Sequence, residues 1–307
     1  MNNNKIAGIA LASFSVLVWG VTFVATKALL TDFSALEILL YRFVAAYLAL
    51  WVICPKVEKI SLRENLIFAL AGLSGVVVYQ FAENTALHFT ACCNVSIIVS
   101  LCPMLTAIIA QIFLREHHIT RWFIIGFVVA ISGVTMVSFD GYGTIEFNLR
   151  GDLLALFAAV CWGFYSLCVT VINRRRYNAV CSTRRIFFFA VLFMIPLVVV
   201  GTHTEAGSPS HFSFDAAVNA ARFTKAANVL NMLFLGVVAS GLCFWAWNRA
   251  CSILGTVSVS AGIYLIPVVT IVFAHFFLGE NLSALGIAGA MLTIVGLFIG
   301  GKRRRTR

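Results

Sequence analysis

The sequence predicts an all-α integral membrane protein of ten transmembrane helices, built as two five-helix repeats of inverted topology. Composition, an internal duplication and the placement of basic residues carry that prediction. Hydrophobic residues make up 61% of the 307-residue chain and charged residues 11%, with a mean hydropathy of +0.97. Soluble domains are roughly a quarter charged, so this chain belongs in lipid. Apolar runs of the ~20 residues needed to cross a ~30 Å hydrocarbon core recur along its whole length. They predict helices at about 5–29, 34–54, 66–88, 92–113, 119–139, 151–172, 183–201, 228–249, 256–278 and 283–300. Backbone facing lipid must satisfy its own hydrogen bonds, which favours helices, and these runs lack the alternation of a transmembrane β-barrel.

The halves repeat each other. Shifting residues 72–116 by 164 positions gives 13 identities in 45 pairs, among them Gly72/Gly236, Asn84/Asn248, Ser96/Ser260, Pro103/Pro267 and Glu116/Glu280. A shift of 143 superimposes Trp19-Gly20 on Trp162-Gly163. The units so defined are residues 1–140 and 151–301, followed by a basic tail, 302–307. A duplicated apolar unit of this kind is a signature of transporters whose substrate site lies between two repeats.

The net charge of +10 is distributed by side of the membrane. With the N-terminus inside, 17 of the 22 basic residues fall in inner connections or in the tail, including Lys56, Lys59, Arg63, Arg174, Arg175, Arg176, Arg184 and Arg185. The outer connections hold Arg150, Arg222 and Lys225. This positive-inside bias predicts both termini in the cytoplasm and makes a nucleic-acid partner unnecessary. Five helices per half then invert the second repeat relative to the first. Nine cysteines are present and none lies in the longer outer loops 140–150 and 202–227, so disulfides are not expected to hold the fold.

Several residues now match a family. Trp19-Gly20 and Tyr41-Arg42-Phe43 are followed by Ala86-Leu87-His88-Phe89-Thr90, Asn94-Val95-Ser96, Leu101-x-Pro103 and Leu114-x-Glu116. The second copy reads Trp247-Asn248-Arg249-Ala250, Leu254-Gly255-Thr256, Ser258-x-Ser260, Pro267 and Leu278-Gly279-Glu280. Together they resemble the EamA-type repeat of the drug/metabolite transporter superfamily. The resemblance implies a ten-helix inner-membrane carrier, monomer or homodimer, that moves small organic solutes such as amino acids, related metabolites or toxic compounds, export being the favoured direction. It also implies a central cavity lined mainly by predicted helices 1, 3, 4, 6, 8 and 9. Two positions depart from the pattern: Glu83, whose second-half equivalent is Trp247, and Arg115, which stands where the second copy has Gly279.

On the expected cavity helices lie Trp19, Tyr79, Glu83, Asn84, Asn94, Ser96, Ser100, Trp162, Tyr165, Trp245, Asn248, Ser260 and Tyr264. Asn84 and Asn248 must face another helix or water, because an unpaired amide in lipid is costly. They serve either as interhelical bonds or as substrate contacts. Pro103 and Pro267 are expected mid-helix, bending helices 4 and 9 and freeing the carbonyls of Val99 and Ile263. Glycines Gly126, Gly133, Gly289 and Gly296 in helices 5 and 10 are expected to serve packing within the bundle.

Three charges lie within helices: Lys27, Arg42 and Glu83. Glu83 sits about five residues inside the outer end of helix 3, roughly 7 Å deep, where a carboxylate must be paired, hydrated or protonated. It is read as an ion pair with Arg42, as a site for a substrate ammonium, as a group coupling transport to protons, or as a water-exposed carboxylate. Gly72-Leu73-Ser74-Gly75 matches an intramembrane-protease motif, but no histidine lies at the depth of Ser74, so no catalytic residue is assigned. His88 with Cys92 and Cys93 lacks a full ligand set, so no metal is assigned, and no cofactor is expected. A phosphorylated-metabolite or nucleotide-sugar exchanger would present several cations to its cavity, and a membrane scaffold or receptor would present no cavity at all.

Overall fold

A computed structural model of the chain describes residues 3–90, 92–115, 119–142, 148–278 and 284–300. All regular structure among them is helical. In order the helices are α1 (Asn3–Leu29), α2 (Ala35–Ile53), α3 (Leu62–Phe89), α4 (Cys92–Val99), α5 (Cys102–Leu114), α6 (Arg121–Tyr142), α7 (Leu149–Arg174) and α8 (Ala179–Gly201). There follow α9 (Ala216–Phe223), α10 (Ala226–Leu254), α11 (Thr256–Ser260), α12 (Ile266–Leu278) and α13 (Ala284–Gly300). Helices α1, α2, α3, α7, α8 and α10 are each long and apolar enough to cross a membrane, and shorter apolar helices pack beside them. The chain is a multi-pass membrane protein.

Sequence-local signals set several starts. Ser34 and Glu37 form a capping box at α2, the Glu37 amide donating to Ser34 Oγ at 3.0 Å and the Ser34 amide to Glu37 Oε2 at 2.8 Å. Ser61 and Glu64 repeat that box at α3, which therefore begins four residues before its apolar run. Asn178 caps α8, so this helix begins at Ala179 and takes in Arg184 and Arg185, which the charge pattern places in a connection. The outer stretch 202–227, read from sequence as loop, contains α9, capped by Asp215.

At the prolines the α-helical ladder is interrupted, by a turn at Ser100 and Leu101 in helix 4 and by a 3₁₀ segment in helix 9, whose helical path is otherwise continuous. Helix 4 splits into α4 and α5 with Pro103 as the second residue of α5. Helix 9 splits into α11, a 3₁₀ turn over Ala261–Leu265, and α12 with Pro267 as its second residue. A proline in the first turn of a helix loses no intrahelical bond, because that amide is unpaired anyway. The Ile263 carbonyl is correspondingly not free, accepting the Ile266 amide in the 3₁₀ turn.

Helices α3 and α10 each contain a π-helical segment, Leu73–Val78 and Phe234–Leu242, at equivalent places in the two repeats. The repeats interlock rather than lie side by side. Helix α1 packs on α10 and α12 of the second repeat, and α7 packs on α3 and α5 of the first. The Trp-Gly pairs permit this. A methyl group on Gly20 would lie 2.6 Å from Val269 Cγ1, and one on Gly163 2.6 Å from Ile109 Cδ1. Helices α6 and α13 meet even more closely: a Cβ on Gly126 would lie 2.3 Å from the Gly300 nitrogen, and one on Gly296 2.4 Å from the Ala130 nitrogen. The expected glycine packing thus joins the two repeats within one chain.

Backbone atoms cannot retreat as a flexible side chain can. Gly296→Val should therefore force α6 and α13 apart and cost about 2–4 kcal/mol, by analogy with overpacked cores. The measurement is the thermal midpoint in detergent. An unchanged midpoint would show that this contact does not set the fold.

Candidate functional site

A cavity of about 540 Å³, its open mouth included, lies between the repeats. Its walls come from α1 (Trp19, Thr22, Phe23, Thr26), α2 (Arg42), α3 (Tyr79, Gln80, Glu83, Leu87) and the α4–α5 break (Val99, Cys102). The second repeat adds Trp162 from α7, Phe244 from α10, and Ile263 and Ile266 around the start of α12. Both broken helices therefore reach the cavity at their breaks, where backbone irregularity in a membrane protein is tolerated.

Aromatic rings form its floor. Trp19 and Trp162, equivalent in the duplication, meet edge to face with centroids 5.6 Å apart and planes at 88°. Trp162 also stacks with Tyr79 at 5.0 Å and with Tyr165 at 5.1 Å, while Trp19 contacts Trp247 at 4.9 Å and Phe244 at 5.6 Å. Such pairs contribute about 0.5–1.5 kcal/mol each beyond their buried area. The two indoles differ in their polar atoms. Trp19 Nε1 donates to the Ala239 carbonyl at 3.0 Å. That carbonyl lies in the π segment of α10, where the Cys243 amide bonds to Val238 and Ser240 and skips it. Trp162 Nε1 is buried and finds no partner among the described residues.

The charges occupy the polar wall. Arg42 is 3% exposed, donating from Nε to Ser240 Oγ at 2.8 Å and from Nη1 to Gln80 Oε1 at 2.8 Å. Ser240 lies in the π segment of α10, and Gln80 follows the π segment of α3 by two residues. Glu83 is 8% exposed and accepts the Tyr79 hydroxyl at 2.8 Å. The direct Glu83–Arg42 ion pair, one reading of these charges, is not formed. Arg42 is satisfied by neutral acceptors and Glu83 by a neutral donor, and both line the same cavity. Lys27 is not on that wall. It donates to the Leu87 carbonyl at the C-terminal end of α3, where a cation complements the helix dipole.

The remaining candidates separate into groups. Trp19, Tyr79, Glu83 and Trp162 line the cavity. Asn84 and Asn248 do not: Asn84 Nδ2 points at the Ala35 carbonyl at 3.5 Å, and Asn248 takes the Tyr165 hydroxyl at 2.8 Å and donates to Thr183 at 3.1 Å. The amides tie helices together. Tyr165 turns its hydroxyl away toward Asn248, and Ser100 bonds back to the Ser96 carbonyl at 2.8 Å. Ser96 is buried outside the wall, and Trp245 is half-buried. Ser260 and Tyr264 are buried just behind it, with hydroxyls that find no partner among the described residues. The Asn94 side chain lies outside the described residues. Sequence reasoning missed Phe244, Thr22 and Thr26, which do not break the apolar pattern, and also Gln80, an amide in the same helix as Asn84 that lacks a repeat-related partner, and it had no signal for the π segments.

If Gln80 is an obligatory acceptor, Gln80→Leu strands one donor of a buried guanidinium and should cost about 1–3 kcal/mol. Glu83→Gln should cost much less, since the amide oxygen still accepts from Tyr79. Thermal midpoints of the two variants in detergent compare these directly, and equal losses would overturn the assignment of partners.

Comparison with known proteins agrees in fold and class. The EamA-like transporter family profile matches twice, over residues 6–139 and 149–300. A probable terminal-alkyne amino-acid exporter of Streptantibioticus cattleyicolor is 25% identical over 291 residues, covering 94% of this chain and 91% of its own. A probable amino-acid metabolite efflux pump of Salmonella typhimurium is 25% identical over 305 residues, 96% of each chain. A solved crystal structure with 15% identity superposes at a TM-score of 0.72 over 96% of both chains, a likeness of fold alone.

Proposed function

The chain belongs to the EamA-like transporter family, and we propose that it is a secondary transporter exporting small zwitterionic metabolites, amino acids or their close relatives. One observation carries the reading: a guanidinium and a carboxylate, Arg42 and Glu83, share the wall of one aromatic-floored cavity between the repeats. Arg42 would take the carboxylate of the solute and Glu83 its ammonium, because a charged solute leaving water needs compensating charges in place. Trp19, Trp162 and Phe244 would take an apolar side chain, with the unpartnered Trp162 N–H as an additional donor. Two relatives named as an amino-acid exporter and an amino-acid metabolite efflux pump support the substrate class and the direction.

In this reading ten spans cross the inner membrane as inverted five-helix repeats, residues 1–140 and 151–301, with both termini in the cytoplasm. Alternating access exposes the cavity to each side in turn. The wall runs from Trp19 to Thr26 along α1 and from Tyr79 to Leu87 along α3, toward the predicted outer face. On the other side, Gly8 is packed against Leu254 and Ile253. Glu83 is also the group through which protons would couple. A phosphorylated solute is disfavoured, because Glu83 would repel it and Arg42 is the single cation on the wall among the described residues.

Two measurements test this. Proteoliposomes loaded with a mixed amino-acid and metabolite pool, read by mass spectrometry, should lose apolar amino acids. Glu83→Gln and Arg42→Gln should each slow that loss about tenfold or more, the loss expected for one charge-assisted hydrogen bond. Full-rate export by both variants would refute the zwitterion site. Cysteines introduced at Ile60 and Ser208 in a cysteine-reduced background should label only from the cytoplasm and only from outside, respectively. Labelling of both from one side would refute the topology.

A further inference from the structure

Helices α2 and α8, one from each repeat, share a seam that is filled at successive turns. Phe43 meets Phe187 with centroids 5.1 Å apart, and Tyr47 meets Phe188 at 6.3 Å. The Arg184 guanidinium then lies 3.9 Å from the Trp51 ring centroid. The next rung is a pair of thiols: Cys54 Sγ and Cys181 Sγ are 3.9 Å apart. No other two thiols among the described residues are recorded in such contact. Cys181 is buried in the first turn of α8 and is fixed by that helix. Cys54 is half-buried and stands just past α2 in extended conformation, φ −147° and ψ 91°, so its side chain is not confined by a helical turn. Polar bonds already clamp this end. Arg184 donates to the Cys54 and Lys56 carbonyls, and Arg185 donates to Asn65 Oδ1 at 2.7 Å and to the Glu58 carbonyl at 2.9 Å.

We propose that Cys54 and Cys181 are an oxidisable thiol pair whose disulfide fastens α2 to α8 as a static frame of the transporter. The transport clause rests on the function proposed above; the chemistry does not. A sulfur–sulfur bond is about 2.0 Å, so the gap to close is roughly 2 Å, within reach of side-chain rotation at the two cysteines. With a hydroperoxide as oxidant, the more exposed Cys54 thiolate attacks the peroxide oxygen and becomes a sulfenic acid, and the first water or alcohol leaves. The Cys181 thiol, which donates to the Lys56 carbonyl at 3.5 Å, then attacks that sulfur; its proton goes to the departing sulfenic hydroxyl, so the disulfide forms and water leaves. Two thiols lose two hydrogens and two electrons, and the peroxide bond takes them up. A seam filled from Phe43 to Cys54 has no slack for a gate, so the link should strengthen the fold without stopping the cycle.

Treatment of the full-length protein with hydrogen peroxide should lower its intact mass by about 2 Da and yield one peptide joining Cys54 to Cys181, both reversed by dithiothreitol. Oxidation should raise the thermal midpoint by about 5 °C, as expected for closing a long loop. Cys54→Ser and Cys181→Ser should show neither change. Leucine and phenylalanine efflux from proteoliposomes should stay within about twofold of the reduced protein. Absence of the linked peptide, or a linked protein with an unchanged midpoint, overturns the proposal. So does a linked protein whose efflux has collapsed, because the seam would then have to open. If the reduced protein moves neither amino acid, the functional reading fails, while mass and midpoint still decide the thiol pair.

Discussion

Everything in this bundle depends on how each repeat's first helix is lodged in the other repeat. Helix α1 lies against α10 and α12, and α7 against α3 and α5. Two Trp-Gly pairs make that exchange: each glycine lets its helix approach a foreign helix, and each tryptophan, one residue earlier, meets its counterpart at the centre. Neither repeat can complete its core alone. The cavity consequently cannot belong to either repeat, and its walls are shared by construction.

The scaffold is duplicated, but the chemistry on it is not. Moving 164 positions along the chain turns Tyr79 into Cys243, Gln80 into Phe244 and Glu83 into Trp247. The charged and amide groups on the wall, Arg42, Gln80 and Glu83, therefore all come from the first repeat, while its aromatic rings come from both, Trp19, Phe23 and Tyr79 from the first and Trp162 and Phe244 from the second. An exact repeat would have placed two carboxylates or two rings across the pseudo-symmetry axis, giving either repulsion or a cavity without charge. Divergence at three positions yields a site with a polar and an apolar side. The same asymmetry reaches the indoles, since only Trp19 has a carbonyl waiting in a π turn.

What the sequence revealed follows from which forces act locally. Apolar runs and the duplication are legible without any knowledge of neighbours, and the all-helical, two-repeat membrane architecture they announce is present. The prolines were visible, but whether proline kinks a helix or starts a new one depends on neighbours dozens of residues away. Arg42 and Glu83 stood out as charges in lipid, yet the partners of Arg42 did not: Ser240 is a small residue in an apolar run, and Gln80 is an amide whose repeat equivalent is Phe244, so the duplication did not mark it. The paired asparagines were conspicuous for the opposite reason. Their symmetry advertised a site, and they turn out to bond helix to helix, which duplication preserves equally well.

The position of Arg42 connects these threads. Its helix, α2, is held along the α8 seam, and its N-terminal end is tied down as well. There Glu37 accepts from Arg222 at 2.8 Å, and the Asp32 carboxyl is held below the usual aspartate range by hydrogen bonds from Lys225 and Asn228. The guanidinium is thus presented by a firmly anchored helix. Its two acceptors are not anchored in the same way. Ser240 lies within one π segment and Gln80 just beyond the other, where the backbone ladder is already out of α register. A one-residue change of register in either segment would carry an acceptor around its helix while Arg42 stayed in place. The charge most costly to leave unpaired is therefore bonded within one π segment and just beyond the other, where the helices depart from α register.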